Sequence, residues 1–314
     1  MQFTGKRATY IGLLFLVLVA VAVIPFYTSA YIYIFSTTLF MYAVLAVSWN
    51  IFCGSSRYIS LGSAAFFGVG IYTAAVLGDA FPLPIVIVLG GLVAFLLALV
   101  VGLSTLRLRG IYFAIFTFGF GEFLKHTVRW YEINITSTLS RWVPMTDPVI
   151  TYYTMLIVLL AALLTSYIIK SSKFGFALQS IGESEEATHH MGVNVTAVKI
   201  FFFAISSTFM GLAGAIIAGR WTYINPAIAF NPVISFTVVL MVLVGGIRQM
   251  YGPLLGAAIL TIIAEVLLTE FTYYYLALYG IILIAVILFL PSGLLGLFAR
   301  KGVSKSGGIL ARFR

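Results

Sequence analysis

Charged residues are scarce in this sequence. They make up 9% of its 314 residues, whereas hydrophobic residues make up 62%. Soluble proteins contain about 25% charged residues, because polar side chains must cover their surface. The composition therefore excludes a soluble globular domain. The apolar residues also occur in long runs, which indicates a chain that crosses a lipid bilayer several times.

Cysteine is nearly absent, and histidine is rare. A single cysteine, Cys53, excludes an internal disulfide and a zinc ribbon. The three histidines and nine acids are scattered, whereas a membrane enzyme would need such groups clustered at one membrane face. His189 and His190 are adjacent, so on a helix they point about 100° apart and are predicted to be surface residues, not ligands of one metal.

Acidic residues are missing from the centres of the apolar runs. Ion-coupled carriers often place acids near the bilayer midplane, whereas Glu122 and Glu265 lie toward the outer ends of their segments. The sequence also lacks a Gly-x-x-x-x-Gly-Lys-Ser/Thr phosphate loop. An ion-coupled secondary carrier is disfavoured, and the energy for any transport is expected to come from another subunit.

The apolar runs predict an all-α protein, a single transmembrane domain over residues 1–314 with about ten helices. Each needs about 20 residues, because the hydrocarbon core is about 30 Å thick and a helix rises about 1.5 Å per residue. The predicted spans are approximately 10–26, 31–53, 60–78, 83–105, 110–124, 149–169, 199–219, 233–246, 252–268 and 272–290. The short fifth and eighth spans are expected inside the bundle. The first run also has the basic flank of a signal peptide, with small residues at Ser29 and Ala30, but we interpret it as a retained helix.

Basic residues orient the predicted bundle. If Lys6 and Arg7 hold the N-terminus in the cytoplasm, ten crossings return the C-terminus to the same side. Most of the bases then lie on the cytoplasmic side. Those left outside are Lys125, Arg129, Arg141 and Arg220. An odd number of crossings would scatter the bases over both sides, so the alternation favours an even number.

Two connections are long enough to be more than turns. The outer loop 125–148 contains Trp130, Tyr131 and Trp142, which fit either an aromatic belt at the membrane interface or a docking surface for a soluble partner. The cytoplasmic loop 170–198 contains three of the nine acids. These are Glu183, Glu185 and Glu186.

A short helix of about two turns is predicted within the cytoplasmic loop. Ser184 before two glutamates is typical of a helix start, and Gly192 with Asn194 is typical of a helix end. A polar helix of this length has little stability by itself. It must therefore rest on the cytoplasmic face of this protein or dock into a partner.

Three membrane stretches are rich in small residues, which allow either tight helix packing or a substrate path lined by backbone and hydroxyl groups. They read ISLGSAAFFGVGIYTAA from Ile59, GLAGAIIAG from Gly211 and GGIRQMYGPLLGAA from Gly245. Both interpretations stay open. The candidate residues for the pore or for helix packing are Ser60, Gly62, Ser63, Gly68, Thr117, Gly252 and Gly256.

Several stretches together resemble one family, the LivM-type membrane subunits of ATP-driven branched-chain amino-acid importers. ISLGSAAFFGVGIYTAA resembles a small-residue helix of that family, LRLRGIYFAIFTFGFGE from Leu106 resembles its next conserved segment, and GGIRQMYGPLLGAA resembles its Gly-Gly turn. ESEEATHHMGVNV from Glu183 resembles the Glu-Ala-Ala-x-x-x-Gly coupling motif, with Thr188 in place of the second alanine. The fold implied is that of a type II ABC importer permease.

The resemblance implies a transport subunit that is not an enzyme and binds no cofactor itself. ATP and magnesium would be bound by two partner ATPase subunits, and a groove in these would hold the coupling helix. The coupling residues implied are Glu183, Glu186, Ala187 and Gly192. Other implied partners are a homologous second permease subunit, an extracellular or periplasmic substrate-binding protein docked on the outer loops 125–148 and 220–232, and membrane lipid. No nucleic acid is implied.

The resemblance also implies a substrate and a location. The expected substrates are leucine, isoleucine and valine, carried across the cytoplasmic (inner) membrane of a prokaryote, with both termini in the cytoplasm. A permease for urea, short amides or another small polar solute on the same scaffold remains the alternative.

Overall fold

The computed structural model describes residues 21–282 and 284, except for 109, 139, 248, 275 and 276, and it is predominantly helical. The longer helices are α1 (Ala30–Trp49), α2 (Ser63–Leu77), α3 (Leu83–Thr105), α4 (Ile111–Tyr131), α5 (Pro148–Ser171), α6 (Lys173–Glu183), α8 (Val195–Ala218), α10 (Pro232–Gly245) and α11 (Gly252–Glu270). The short helices are α7 (Glu185–His190) and α9 (Pro226–Ala229), and two short strands, β1 (Arg141–Trp142) and β2 (Tyr223–Ile224), form an antiparallel pair. π-helical turns, Asn50–Gly54 and Glu132–Thr136, extend α1 and α4.

Within the described residues, six helical segments are long and apolar enough to cross a membrane. They are Ala30–Gly54, Leu83–Thr105, Pro148–Ser171, Val195–Ala218, Pro226–Gly245 and Gly252–Glu270, and α2 is a shorter apolar helix. The predicted first span lies largely outside the described residues and the predicted tenth span about half outside them, although 21–27 and 277–282 are helical. The structure therefore supports a multi-pass helical membrane protein, and the number of ten crossings stays a prediction.

Helix α4 is longer than predicted. The fifth span was expected to end at residue 124, but the helix continues to Tyr131, so the first part of the predicted outer loop is helical. Within this extension Lys125 and His126 lie next to Glu122, one turn earlier on the same helix face. Pairing of charges at i,i+3 and i,i+4 lets a helix continue through a polar stretch that sequence hydropathy treats as its end.

The predicted eighth span, 233–246, is helix α10, and a break at Phe230 separates it from the short helix α9 that precedes it. Asn225 accepts a hydrogen bond from the backbone N–H of Ile228 at the start of α9, and Asn231 accepts one from Val233 at the start of α10. The side chain of Phe230, at the break, packs against α2, where a Cβ on Gly68 would lie 2.4 Å from the ring. Capped backbone groups and protein contacts are what a helix break needs at membrane depth.

Helix α8 forms the centre of the bundle, and glycines bring its backbone against α2 and α3. It is the most buried of the six spans, with 78% of its apolar window inside the protein. A Cβ on Gly70 would lie 2.0 Å from the carbonyl oxygen of Gly211, and a Cβ on Gly211 would lie 2.6 Å from that of Gly90. Such close approach is possible only between residues without side chains.

The Gly-x-x-x-Gly pair of α11 also packs against a neighbouring backbone. A Cβ on Gly256 would lie 1.8 Å from the carbonyl oxygen of Met241 in α10, and a Cβ on Gly252 would lie 2.2 Å from that of Gly246. Gly246 itself has a φ of 107°, which side chains rarely tolerate. These two candidate residues therefore serve helix packing.

The predicted inside and outside bases separate to opposite ends of the bundle. Helix α8 is 24 residues long, about 36 Å at about 1.5 Å per residue. We call the end that contains its first residue and α7 the coupling end, and the other the far end. The bases at the coupling end include Arg57, Arg107, Lys170, Lys173 and Lys199. Those at the far end include Lys125, Arg129, Arg141 and Arg220.

Candidate coupling site

Serine and glycine set the bounds of α7 at the coupling end. The Ser184 side chain accepts a hydrogen bond from the Ala187 N–H at 3.3 Å, and Gly192 follows the helix with a φ of 84°. Both agree with the predicted start and end. The assignment of Asn194 to the helix end was wrong: its side chain caps α8 by accepting from the Ala197 N–H at 3.1 Å. An asparagine can cap either side of a turn, and only the observed backbone distinguishes the two.

A buried ion pair joins α7 to the membrane helices. Lys199 Nζ lies 2.5 Å from Glu185 Oε1, and the Tyr58 hydroxyl donates to the same carboxylate at 2.7 Å. Lys199 also donates to the carbonyl oxygen of Leu106 at 2.9 Å and sits 4.8 Å above the centre of the Tyr58 ring. The lysine is only 4% exposed. Its charge is therefore compensated by a carboxylate, a carbonyl and an aromatic face.

This cluster connects α7 with three parts of the bundle. Tyr58 belongs to the segment after α1, Leu106 ends α3, and Lys199 lies in the second turn of α8. Thr188 is buried on α7, with 1% of its surface exposed, and its hydroxyl donates within the helix to the Ser184 carbonyl at 2.8 Å. A displacement of α7 would consequently pull or push on the ends of α1, α3 and α8 at the same time, because the cluster contacts all three.

The opposite face of α7 is exposed. Of the four predicted coupling residues, Glu186, Ala187 and Gly192 are exposed, and none has a side-chain hydrogen bond or ion pair with another described residue. Glu183 ends α6, where it pairs with Arg57 at 2.8 Å, and both side chains are more than half exposed. Exposed pairs of this kind contribute about 0–1 kcal/mol. The exposed face of α7, which carries Glu186, is thus available for contact with another molecule.

Several candidate pore residues meet at the start of α2, where they complete its backbone hydrogen bonding. Thr117 of α4 accepts from the Leu61 N–H, and Ser235 of α10 accepts from the Ala64 N–H, each at 2.9 Å. Gly62 donates to the Ser60 side chain at 3.2 Å. Ser63 Oγ is buried with no hydrogen-bond partner among the described residues. The first N–H groups of a helix need such acceptors in an apolar setting.

The far end is organised by the two outer connections that were predicted as docking loops. Strand β1 of one pairs with β2 of the other, and the rings of Trp142 and Tyr223 meet at 5.0 Å between centres while remaining exposed. Beneath them the Glu132 carboxylate is 1% exposed and receives hydrogen bonds from Arg141 at 3.1 Å and Tyr72 at 3.2 Å. The structure therefore joins the loops into one surface.

Arg220 lies between α8 and β2, and its guanidinium donates to Thr38 Oγ1 at 2.9 Å. Burial lowers the pKa of Arg220 from its usual value, while the negative charge of Glu265 acts in the opposite direction. Glu265 also accepts from the Tyr31 hydroxyl at 2.7 Å.

Sequence reasoning missed the partners of Glu185. Neither Lys199 nor Tyr58 was singled out from the sequence as a partner for a carboxylate. The signal for this ion pair was a lysine in the first turns of a membrane helix, since a charge at that place needs a partner. The identity of that partner depends on contacts between distant segments.

Comparisons with known proteins agree with this architecture. Residues 31–288 match the family described as branched-chain amino acid transport system / permease component. The chain is 28% identical to the high-affinity branched-chain amino acid transport system permease protein LivM of Salmonella typhimurium, over 94% of this chain and 77% of the relative. The LivM protein of Escherichia coli K12 is also 28% identical, over 90% and 74%.

More distant relatives match shorter regions. The ribose import permease protein RbsC of Haemophilus influenzae is 31% identical over 35% of each chain. No solved structure gives a significant match. Because the family match covers most of the chain, this protein belongs to the branched-chain amino acid transport system permease component family.

Proposed function

We propose that this chain is one of two membrane-spanning subunits of an ATP-driven importer for leucine, isoleucine and valine. The proposal combines the family match with the LivM names of relatives that align over at least nine-tenths of the chain. A homologous second permease, or a second copy, would complete the pore. Two ATPase subunits, which bind ATP and magnesium, would supply the energy.

The observation that carries the proposal is the construction of the coupling end. Helix α7 presents an exposed face that carries Glu186, while its other face is fixed through Glu185 and Lys199 to the ends of α3 and α8. In the proposed mechanism, closure of the ATPase subunits pushes α7, and the cluster transfers the displacement to these helices. The pore then switches between outward and inward access. No covalent bond in the substrate changes.

The far end would receive an extracellular or periplasmic substrate-binding protein. The joined surface of β1 and β2 supports this role, because its exposed Trp142 and Tyr223 rings are of the type enriched in protein interfaces. In the same proposed orientation, the coupling end and both termini would lie in the cytoplasm of a prokaryote. With about ten crossings, the subunit would be a type II importer permease.

The alternative substrate class is another small polar solute, such as urea or a short amide. Partial matches to permeases named for ribose and fructose import show that related sequences serve other solutes. LivM proteins match over far more of the chain, which favours branched-chain amino acids. Competition between leucine and urea for ATP-driven uptake would separate the two substrates.

The decisive experiment measures uptake of labelled leucine into vesicles that contain the assembled importer. Glu186→Lys and Gly192→Trp should abolish uptake while the protein still inserts into the membrane, because they alter the exposed face of α7. Glu270→Lys, an equal charge change on an exposed residue at the far end of α11, should retain uptake. Uphill leucine accumulation without any ATPase subunit would contradict the proposal.

A further inference from the structure

A cavity at the coupling end has a basic lining that the proposed transport cycle does not use. It has a volume of about 310 Å³ and lies between the end of α1, the end of α5 and helix α6. Its polar lining comes from Ser55, Arg57, Lys170, Gln179 and Glu183. Two bases face one acid there, so the cavity has a net positive charge.

Among the described residues, Lys170 has no compensating group. It is partly buried at the end of α5, and no described residue forms an ion pair or hydrogen bond with its ammonium group. The nearby Glu183 carboxylate is already engaged by Arg57 Nη2 at 2.8 Å. A partly buried ammonium is unfavourable without an anion or acceptor. The cavity therefore suits a negatively charged ligand.

Arg57 has a rare backbone conformation. Its φ is 59°, a left-handed conformation that non-glycine residues adopt rarely and at a cost. This conformation turns the chain between the end of α1 and Tyr58, and the guanidinium reaches the cavity. Arginine has five N–H donors, of which the contact with Glu183 uses only part. Donors thus remain for a phosphate group.

Exposed apolar residues lie on both sides of Lys170 in the sequence. Tyr167 and Ile168 precede Lys170 on α5, and Phe174 and Phe176 follow it on α6, all more than half exposed. Lys173 adds a further exposed base between them. Aromatic and basic residues at the end of a membrane helix are typical of the headgroup level of a bilayer.

From this arrangement we propose that the cavity binds the phosphate headgroup of an anionic phospholipid, with Lys170 and Arg57 contacting the phosphate and Phe174 and Phe176 lying against its acyl chains. Basic pockets between membrane helices on the cytoplasmic side recognise such headgroups. The inference rests on the membrane placement in the proposed function but does not require transport. Phosphate ions share the headgroup chemistry, but only a lipid also accounts for the exposed aromatic residues.

The test uses the full-length chain in nanodiscs of phosphatidylcholine, with or without phosphatidylglycerol. We would measure the thermal unfolding midpoint and the number of phosphatidylglycerol molecules that remain bound in native mass spectrometry. A base near an anionic membrane surface contributes about 1 kcal/mol, so Lys170→Gln should weaken lipid retention about fivefold. The control is Arg129→Gln, which removes an exposed base at the far end and should leave retention unchanged.

Each outcome decides the proposal. Stabilisation by phosphatidylglycerol that is lost in Lys170→Gln but kept in Arg129→Gln would support it. Equal retention in all three proteins would overturn it, and so would millimolar inorganic phosphate that reproduces the whole effect. If added ATPase subunits removed the lipid, a protein partner would cover this surface instead. Because the assay needs no transport, its failure would not bear on the importer assignment.

Discussion

At the scale of single residues, the buried lysine of the coupling end is the most consequential feature. Lys199 satisfies its charge through Glu185, the Leu106 carbonyl and the Tyr58 ring. The helix start at Ser184 and the glycine at 192 were predictable, because capping depends on neighbours in the sequence. The Lys199 contacts were not, because their partners lie 14, 93 and 141 positions away.

Lys199→Met should destabilise the protein by about 3 kcal/mol, because it leaves the Glu185 carboxylate without its cation. The measurement is thermal or denaturant unfolding in detergent. The exposed Arg57–Glu183 pair provides the matched control, since Glu183→Gln should cost less than about 1 kcal/mol.

A double-mutant cycle completes this test. Combining Lys199→Met with Glu185→Gln removes both charges and should recover part of the lost stability. If Lys199→Met and Glu183→Gln changed the unfolding midpoint equally, the buried ion pair would not be the stabilising contact that the structure indicates.

At the scale of elements, the bundle depends on backbone contact between helices. Small-residue stretches predicted close packing or a substrate path, and the structure shows close packing for Gly68, Gly252 and Gly256. The helix that each glycine contacts could not be predicted, because a small residue is compatible with any neighbour of matching shape. The extension of α4 to Tyr131 was missed because hydropathy does not count charge pairs on one face.

Gly211→Val should prevent correct folding, because even a Cβ there would lie 2.5 Å from Ala94 Cβ and close to the Gly90 backbone. Overpacking costs typically about 1–3 kcal/mol, and here rigid backbone would have to move. Gly119→Val is the control, since a Cβ at that position would meet nothing within 4 Å. Size-exclusion chromatography of the purified variants should show a monodisperse peak only for Gly119→Val.

At the scale of the whole molecule, the orientation is expected from the sequence, in which the bases assigned to the side of the coupling end outnumber those of the far end. Helix α8 connects the coupling end with the far end: it starts beside the ion pair of Lys199 and Glu185 and ends beside β2. Positive charge is favoured on the cytoplasmic side, so the coupling end is expected inside. This asymmetry is the basis for placing the ATPase subunits and the binding protein at opposite ends.

Cysteine labelling in intact cells can test that orientation, because the native Cys53 is only 4% exposed and should not react. Thr138→Cys, exposed at the far end, should react with a membrane-impermeant maleimide. Ala197→Cys, exposed in the first turn of α8, should react only after permeabilisation. The reverse pattern would invert the topology, and labelling of the unsubstituted protein would contradict the burial of Cys53.

The sequence by itself determined the class of protein, most of the apolar helices in the middle of the chain and the position of the short helix α7. These follow from composition, segment hydropathy and local capping, which are properties of consecutive residues. Only the tertiary structure decided that Glu185 pairs with Lys199, that β1 and β2 join the two outer loops, and that Lys170 and Arg57 share a cavity. Those contacts depend on how helices pack, and one sequence pattern is compatible with many packings.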